Sequence, residues 1–345
     1  GSYGAGIENC GNSGAITSKD STGGIMGSGS VPITACYNTG TITAAGDDIG
    51  GIAGYTSQEI KNCYNTGAVT GTGAKNGVGG IVGRLSSAVS SYSNGKITGC
   101  LNTGAVTATS GTAAGAIVGQ KTTANAAITR SYFKAGTCTQ AIGGNPADGD
   151  EAALATEAEC GSKRLIGLLG GAFAAGSDGK LTLNWQDPAA KPVVTFVTPE
   201  GAAVTIEDQT PAEPGVFVLE NGTYSYSVSK QGYNTATGSV TVNGESQRVD
   251  VNLGVETFSV TFNVTTPGAK ITVTDAAGEM IQPTAENANV YSLPNGKYHY
   301  TVSKLGCTSA TGDFTVAGAA QTVGPIELAG AQLYTVTLTF TDDEN

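Results

Sequence analysis

Seven cysteines and a single histidine, His299, are the residues of this chain with the strongest metal and redox chemistry. Four of the thiols, Cys10, Cys36, Cys63 and Cys100, stand 26, 27 and 37 residues apart. Zinc sites draw on C-x-x-C pairs within one loop and usually on histidine as well, so this spacing reads instead as a stacked row of small thiols. Neighbouring coils lie about 4.8 Å apart, within disulfide reach, which leaves bridges between coils open. A Cys138–Cys160 pair is a weaker candidate, and Cys307 is left over. No metal and no cofactor is expected.

The carboxylates are equally sparse. Asp148, Asp150 and Glu151, with Asp47 and Asp48, carry enough oxygen for Ca²⁺, but Asn145–Glu151 lacks the full alternating acidic pattern with a terminal Glu, so a solvated acidic loop is the simpler reading. Glycoside hydrolysis needs paired carboxylates in a groove, whereas Glu8, Asp20, Asp47, Asp48 and Glu59 share no repeated face. A non-enzymatic chain is expected. Lys230 and Lys304 occupy matching positions and are candidates for intramolecular isopeptide bonds, against the plainer reading of surface lysines. Candidate ligand-binding residues are Arg84, Tyr92 and Asn94, around the Ser-rich stretch Ser86–Lys96.

What must position these residues is a repeat. The phrase Cys10–Thr17 returns as Cys36–Thr43, Cys63–Thr70 and Cys100–Thr107, and a second phrase follows as GGIMG at Gly23, GGIAG at Gly50, GGIVG at Gly79 and GAIVG at Gly115. Such a period marks a solenoid, in which no coil buries its apolar face until a neighbour stacks on it. Coil starts fall at Ile7, Ile33, Ile60, Ile97 and Ile128, with Ser131 in the cysteine position of the fifth. Alternation puts Ile16, Ile42, Val69 and Val106 inward and Thr17, Thr43, Thr70 and Thr107 outward. Gly14, Gly40, Gly67 and Gly104 are assigned to left-handed corners and Gly80 to a close backbone approach. Whether Tyr37 and Tyr64 or the adjacent cysteines point inward depends on a bend near Asn62. The unit I-x-N-C-Y-N-T-G-x-V-T with G-G-I-x-G resembles the GLUG repeat of bacterial surface proteins over residues 7–135, which implies a β-helix-like solenoid outside the cell. It does not imply proteolysis, since a single His cannot supply H-E-x-x-H.

Thr156 and Glu159 have capping-box spacing, Leu165, Leu168, Leu169 and Ala172 recur at helical spacing, and Lys180–Gln186 reads as a last strand. Residues 136–187 are therefore taken as a cap that closes the open end of the coils. Past the linker Asp187–Pro192, VTFVTPEGAAVTI at Val194 is echoed by VTFNVTTPGAKITV at Val260, and NGTYSYSVSKQGYNTATG at Asn221 by NGKYHYTVSKLGCTSATG at Asn295. The TPEGAAVTI block with its downstream NGTY resembles the PEGA family of surface-associated domains. The second copy departs from it, lacking the Glu and carrying Cys307 in place of Tyr233. A third copy begins at Leu333–Phe340.

The fold class is thus all-β: an N-terminal β-helix-like solenoid with a short capping helix, then two tandem small β-sandwich (Ig-like) domains. The boundaries are 1–187 with the cap at 136–187, 192–254, 255–330, and a tail at 331–345. Charged residues are only 13% and the net charge is −11, which excludes nucleic acid and anionic membrane surfaces as partners, since both demand a basic stripe. No apolar run is long enough to span a bilayer. The chain opens on Gly-Ser partway into a repeat and reads as a monomeric segment of a longer protein. The expected role is extracellular, at the cell surface: a solenoid head that binds a host or bacterial surface glycan or protein, displayed on a sandwich stalk. A carbohydrate-active enzyme or binding module and a purely structural spacer are the rivals.

Overall fold

A computed structural model describes residues 5–73, 76–86, 95–109, 112–123, 126–144, 146, 150–284, 288–331 and 337–338. Two compact units result, Gly1–Val228 with Ala236–Asn252, and Ser229–Thr235 with Leu253–Asn345. In the first unit, five parallel sheets each stack one segment of successive coils. Ile7, Ile33, Ile60, Ile97 and Ile128 pair in register, so the coil starts read from the sequence are one physical row. From Ile33 onward that row is fully buried, together with Ile52, Ile81 and Ile117. Each such side chain contributes about 2 kcal/mol of burial, obtained only through its neighbours.

One backbone feature settles the direction of the cysteines. Asn9, Ala35, Asn62, Gly99 and Arg130, each immediately before the cysteine position, all have φ between 46° and 58°. This left-handed residue reverses the in–out alternation. Cys36, Cys63 and Cys100 therefore point inward and are buried, while Tyr37 and Tyr64 stack face to face on the outside, ring centroids 5.4 Å apart. The corner assignment of the Asn-Thr-Gly glycines needs correcting. None of Gly14, Gly40, Gly67 and Gly104 has positive φ. Glycine is required there by proximity instead, because a Cβ on Gly67 would lie 2.0 Å from the Gly40 carbonyl oxygen of the preceding coil. Gly80 does mark a close approach, its Cβ position lying 2.1 Å from Ala116 O.

Asn12, Asn38, Asn65 and Asn102 form a second row, although the sequence alone presents them as turn residues. Each Nδ2 of the first three donates to the Oδ1 of the next coil's asparagine at 2.7–2.8 Å. Each also donates to the glycine carbonyl two residues on. Buried amides must be paired in this way, and the row fixes both the turn and the register between coils.

Part of the segment after the coils extends their stack, and part lies along its flank. The strands that pair with the last coils are Ile142–Gly144 and Ala152–Ala155. Helices α1 (Glu157–Cys160) and α2 (Lys163–Leu169) and the hairpin Phe173–Ala175 with Leu181–Leu183 follow. The capping box of Thr156 and Glu159 is present on α1. The apolar residues Leu165, Ile166, Leu169, Phe173 and Leu183 then cover Ala35, Leu101, Tyr37, Tyr64 and Tyr132 on the flank of the stack. Trp185 packs beside Tyr37 and donates from Nε1 to Ala35 O at 2.8 Å. After the hairpin, Asp187 accepts from the backbone N–H groups of Ser177 and Ala189, and the Ser177 bond is the main reason its carboxyl sits below the usual value of 3.8. A carboxylate held down in this way stabilises the fold above its unfolded value and ceases to do so as the pH falls through its folded value. Asp187→Asn should therefore lower the melting temperature at pH 7, with the gap to the parent closing only as the pH falls below 3.8 and through the lowered value, a comparison made by calorimetry across the acid range.

The first sandwich belongs to the same unit. Its sheets are Val216–Val218, Val193–Val197 and Gln247–Asp250, facing Ala203–Ile206, Gly222–Ser229 and Ala236–Val242. Val193 and Val216 share one core with α2, and Gly167 of α2 lies so close to Thr195 that a Cβ would come within 2.2 Å of Oγ1. Glu213 accepts from the Lys163 and Arg164 N–H groups at the start of α2, satisfying donors that a helix N-terminus leaves open. The second unit repeats the plan with Val290–Leu293, Phe258–Val264 and Gln321–Ile326 in one sheet. Its other sheet holds Met280–Ile281, Lys270–Thr274, Gly296–Ser303 and Ala310–Val316. Phe262, Tyr291, Tyr298 and Val302 lie in its core. One detail recurs in both: Asn221 and Asn295 each accept at 2.6 Å from a glycine N–H, of Gly244 and Gly318. The third copy expected from Leu333–Phe340 lies largely outside the described residues.

Candidate functional site

The coil stack sets out its exposed side chains in rows, and one row carries chemistry. Ser28, Tyr55, Arg84, Gln120 and Gly144 are in register on the sheet that contains Met26–Gly29, Ala53–Thr56 and Val82–Leu85. The Arg84 guanidinium lies over the Tyr55 ring, 4.7 Å from its centroid. It also grips Asp48 of the neighbouring sheet, with Nη2 3.0 Å from Oδ2 and Nε 3.0 Å from Oδ1. The Asp48 side chain is 4% exposed and that of Arg84 33%. The strands hold the backbone, the aromatic face and the carboxylate hold the side chain, and a rigid patch of ring edge and guanidinium N–H results. With Asp48 cancelling its charge, this patch suits a polyol or peptide carbonyl better than an anion. Arg84→Met should destabilise the first unit by about 3 kcal/mol, because it strands a nearly buried carboxylate. Chemical denaturation of the two chains measures this, and an unchanged midpoint would count against the pairing.

Of the three candidate ligand-binding residues, Arg84 is thus placed, while Tyr92 and Asn94 lie outside the described residues, as does most of Ser86–Lys96. The sequence does not single out Tyr55 and Asp48, which complete the patch, as partners of Arg84. Asp48 lies 36 residues away from it and nothing periodic joins the two. Asp148 of the acidic loop also lies outside the described residues. Asp150 is bound by Lys121, and Glu151 accepts from Arg130 N–H. Among the described residues no group of three or more His, Cys, Asp or Glu is arranged to hold a metal. Lys230 lies over the Tyr233 ring and Lys304 donates to Pro267 O, so neither faces a carboxamide or carboxylate in these contacts.

The thiols stand as free cysteines, Cys138 and Cys160 included, so the bridge between that pair is not formed. Cys10 N–H donates to Cys36 Sγ and Cys36 N–H to Cys63 Sγ, both at 3.4 Å. Ser131 Oγ replaces the thiol for Cys100 N–H. A hydrogen bond from the Cys63 side chain, aided by Cys10, brings Cys36 down to about 7, whereas burial pushes Cys63 well up. Because Cys10 is exposed and Cys63 and Cys100 are buried, maleimide should label Cys10 in the native protein and leave Cys63 and Cys100 untouched until denaturant is added, as peptide mass spectrometry can read.

Residues 196–256 match the PEGA domain, which covers the first sandwich. A comparison with curated proteins finds no match. Among solved structures, the TIE protein of Bacillus anthracis is similar over 40% of this chain and 34% of its own, at 18% identity and a TM-score of 0.27. The minor pilin GBS52 of Streptococcus agalactiae is similar over 38% of this chain and 71% of its own, at 11% identity and a TM-score of 0.17. The chain therefore spans about a third of the length of the first of these. No helix among the described residues is long and apolar enough to cross a membrane.

Proposed function

We propose that the chain is a non-enzymatic segment of a bacterial surface protein of the adhesin type, in which the coils present a binding face and the sandwiches display it. The observation that carries this reading is the Tyr55–Arg84–Asp48 patch: an aromatic and a neutralised arginine, held rigid on a β-stack, form the kind of amphipathic surface on which recognition concentrates. The GLUG-like repeats and the PEGA match support an extracellular setting at the cell surface. The ligand class that fits is a neutral surface glycan or an extended peptide. An array of glycans and a pull-down against host and bacterial surface fractions test it, using the full chain and Tyr55→Ala. Binding that falls at least tenfold in the variant supports the coils as the binding face. Binding unaffected by the variant moves recognition elsewhere, and no binding at all leaves the spacer role. A carbohydrate-active enzyme would instead reveal itself by products released from the same glycans.

A further inference from the structure

Lys121 is a fully buried charge. It closes the strand Val118–Lys121 in the row Gly29, Thr56, Leu85, Lys121, whose members pair in register between coils. Thr56, Leu85 and Lys121 are all fully buried, so an ammonium occupies a core position that the preceding coil fills with leucine. The next strand, Ile142–Gly144, pairs with Val118 and Gln120 and stops short of this position. Asp150 meets the amine here. Its two oxygens lie 2.8 and 2.6 Å from Lys121 Nζ, and the exposures of the Lys and Asp side chains are 0% and 7%.

The chain just after Asp150 is clamped. Glu151 N–H donates to Ile128 O at 2.7 Å, Ser131 N–H to Glu151 O at 3.0 Å, and Arg130 N–H to the Glu151 carboxylate. Ala152–Ala155 then runs parallel to Ser131–Lys134. Asp150 is thus delivered to the amine by backbone pairing as well as by charge attraction. Burying an ammonium and a carboxylate is costly, so a lysine at a position that the preceding coil fills with leucine calls for a specific use of its amine. A fixed amine and carboxyl group side by side in a buried site have the proximity that condensation requires. Held reactants of this sort gain effective molarities of about 10⁵ M or more.

We propose that Lys121 and Asp150 form an intramolecular isopeptide bond that fastens the closing segment to the last full strand row of the coils. The pair passes a proton from Nζ to the carboxylate, and the freed lone pair attacks Cγ. The Nζ–Cγ bond forms, one Cγ–Oδ bond breaks, and that oxygen leaves with two of the three ammonium protons as water. The amide keeps the third proton, and no oxidant, reductant or co-reactant takes part. The bond closes a covalent ring between residues 121 and 150 and replaces two buried charges by a neutral amide.

The test is mass spectrometry of the full chain, unfolded and reduced. The expected intact mass lies about 18 Da, one water, below that of the sequence. An acylated Lys121 also resists trypsin, so digestion should yield a branched species joining residues 97–130 to residues 135–163. Lys121→Arg, which keeps the cation and removes the nucleophilic amine, should run at its full sequence mass. The Asp148–Gly149 sequence can lose one water by forming a succinimide, and that loss would persist in Lys121→Arg and disappear on mild alkaline treatment. A full-length mass in the parent, or a deficit that persists in Lys121→Arg without the branched peptide, overturns the proposal. Because the branched peptide is sought in the parent chain itself, the outcome does not depend on the variant folding.

Discussion

Asn65→Asp should all but abolish folding of the coils, while Asn65→Leu should only weaken it. Asn65 is fully buried. Its Nδ2 donates to Gly67 O and Asn102 Oδ1, both at 2.8 Å, and its Oδ1 accepts from Asn38 Nδ2 at 2.7 Å. An ionised aspartate puts an acceptor where two acceptors already wait and adds a buried charge. The penalty is on the order of 5 kcal/mol or more, comparable with the whole stability of a typical domain. Leucine has nearly the same shape and loses only the hydrogen bonds, at a cost of about 2–3 kcal/mol. Acidification should rescue Asn65→Asp in part, because a protonated carboxyl regains one donor and sheds its charge. Denaturant titrations at pH 7 and pH 4.5 distinguish the three chains. Equal midpoints for Asn65→Asp and the parent would remove the asparagine row from the account of what sets the register.

The second large effect comes from comparing one motif position in two coils. Gly67→Ala should destabilise the first unit by more than about 3 kcal/mol, because its methyl would sit 2.0 Å from Gly40 O and about 3.0 Å from Asn38 Nδ2. Those atoms belong to the backbone and the asparagine row, and neither can move without breaking register. Gly14→Ala, at the same place in the first described coil, meets nothing nearer than Asn12 Oδ1 at 3.7 Å. It should be neutral to within about 0.5 kcal/mol. Since neither glycine is left-handed, any difference reports packing between coils rather than backbone strain. A comparable loss in both chains would return the explanation to local conformation.

How much of this was legible depended on whether the signal was periodic. The coil starts and the inward isoleucines repeat, and the sequence shows them directly. The direction of the cysteines turned on one left-handed residue per coil, which Asn9, Asn62 and Gly99 advertise but Ala35 and Arg130 do not. The asparagine row was hidden because Asn-Thr-Gly is also ordinary turn chemistry, and only stacking reveals that the amides face one another. The helix after the coils was visible as an amphipathic segment, but that pattern says only that a face is buried and not against what. Its counterpart was the outward pair Tyr37 and Tyr64. Arg84 could be singled out by its place beside the longest coil, whereas its partners Asp48 and Tyr55 share no motif with it.

The position of α2 and its hairpin changes how the stack would bear a load. Were the sandwich joined only to the final coil, a pull on the chain near Asn252 would peel the stack open rung by rung, breaking a few hydrogen bonds at a time. Instead Leu169, Phe173 and Trp185 engage residues of the second, third and fourth coils at once, through Ala35, Tyr64 and Leu101. Tension entering through Val193–Val197 is therefore spread across the flank as shear. Several rungs must then yield together, which makes the coils resistant to unzipping from the sandwich side.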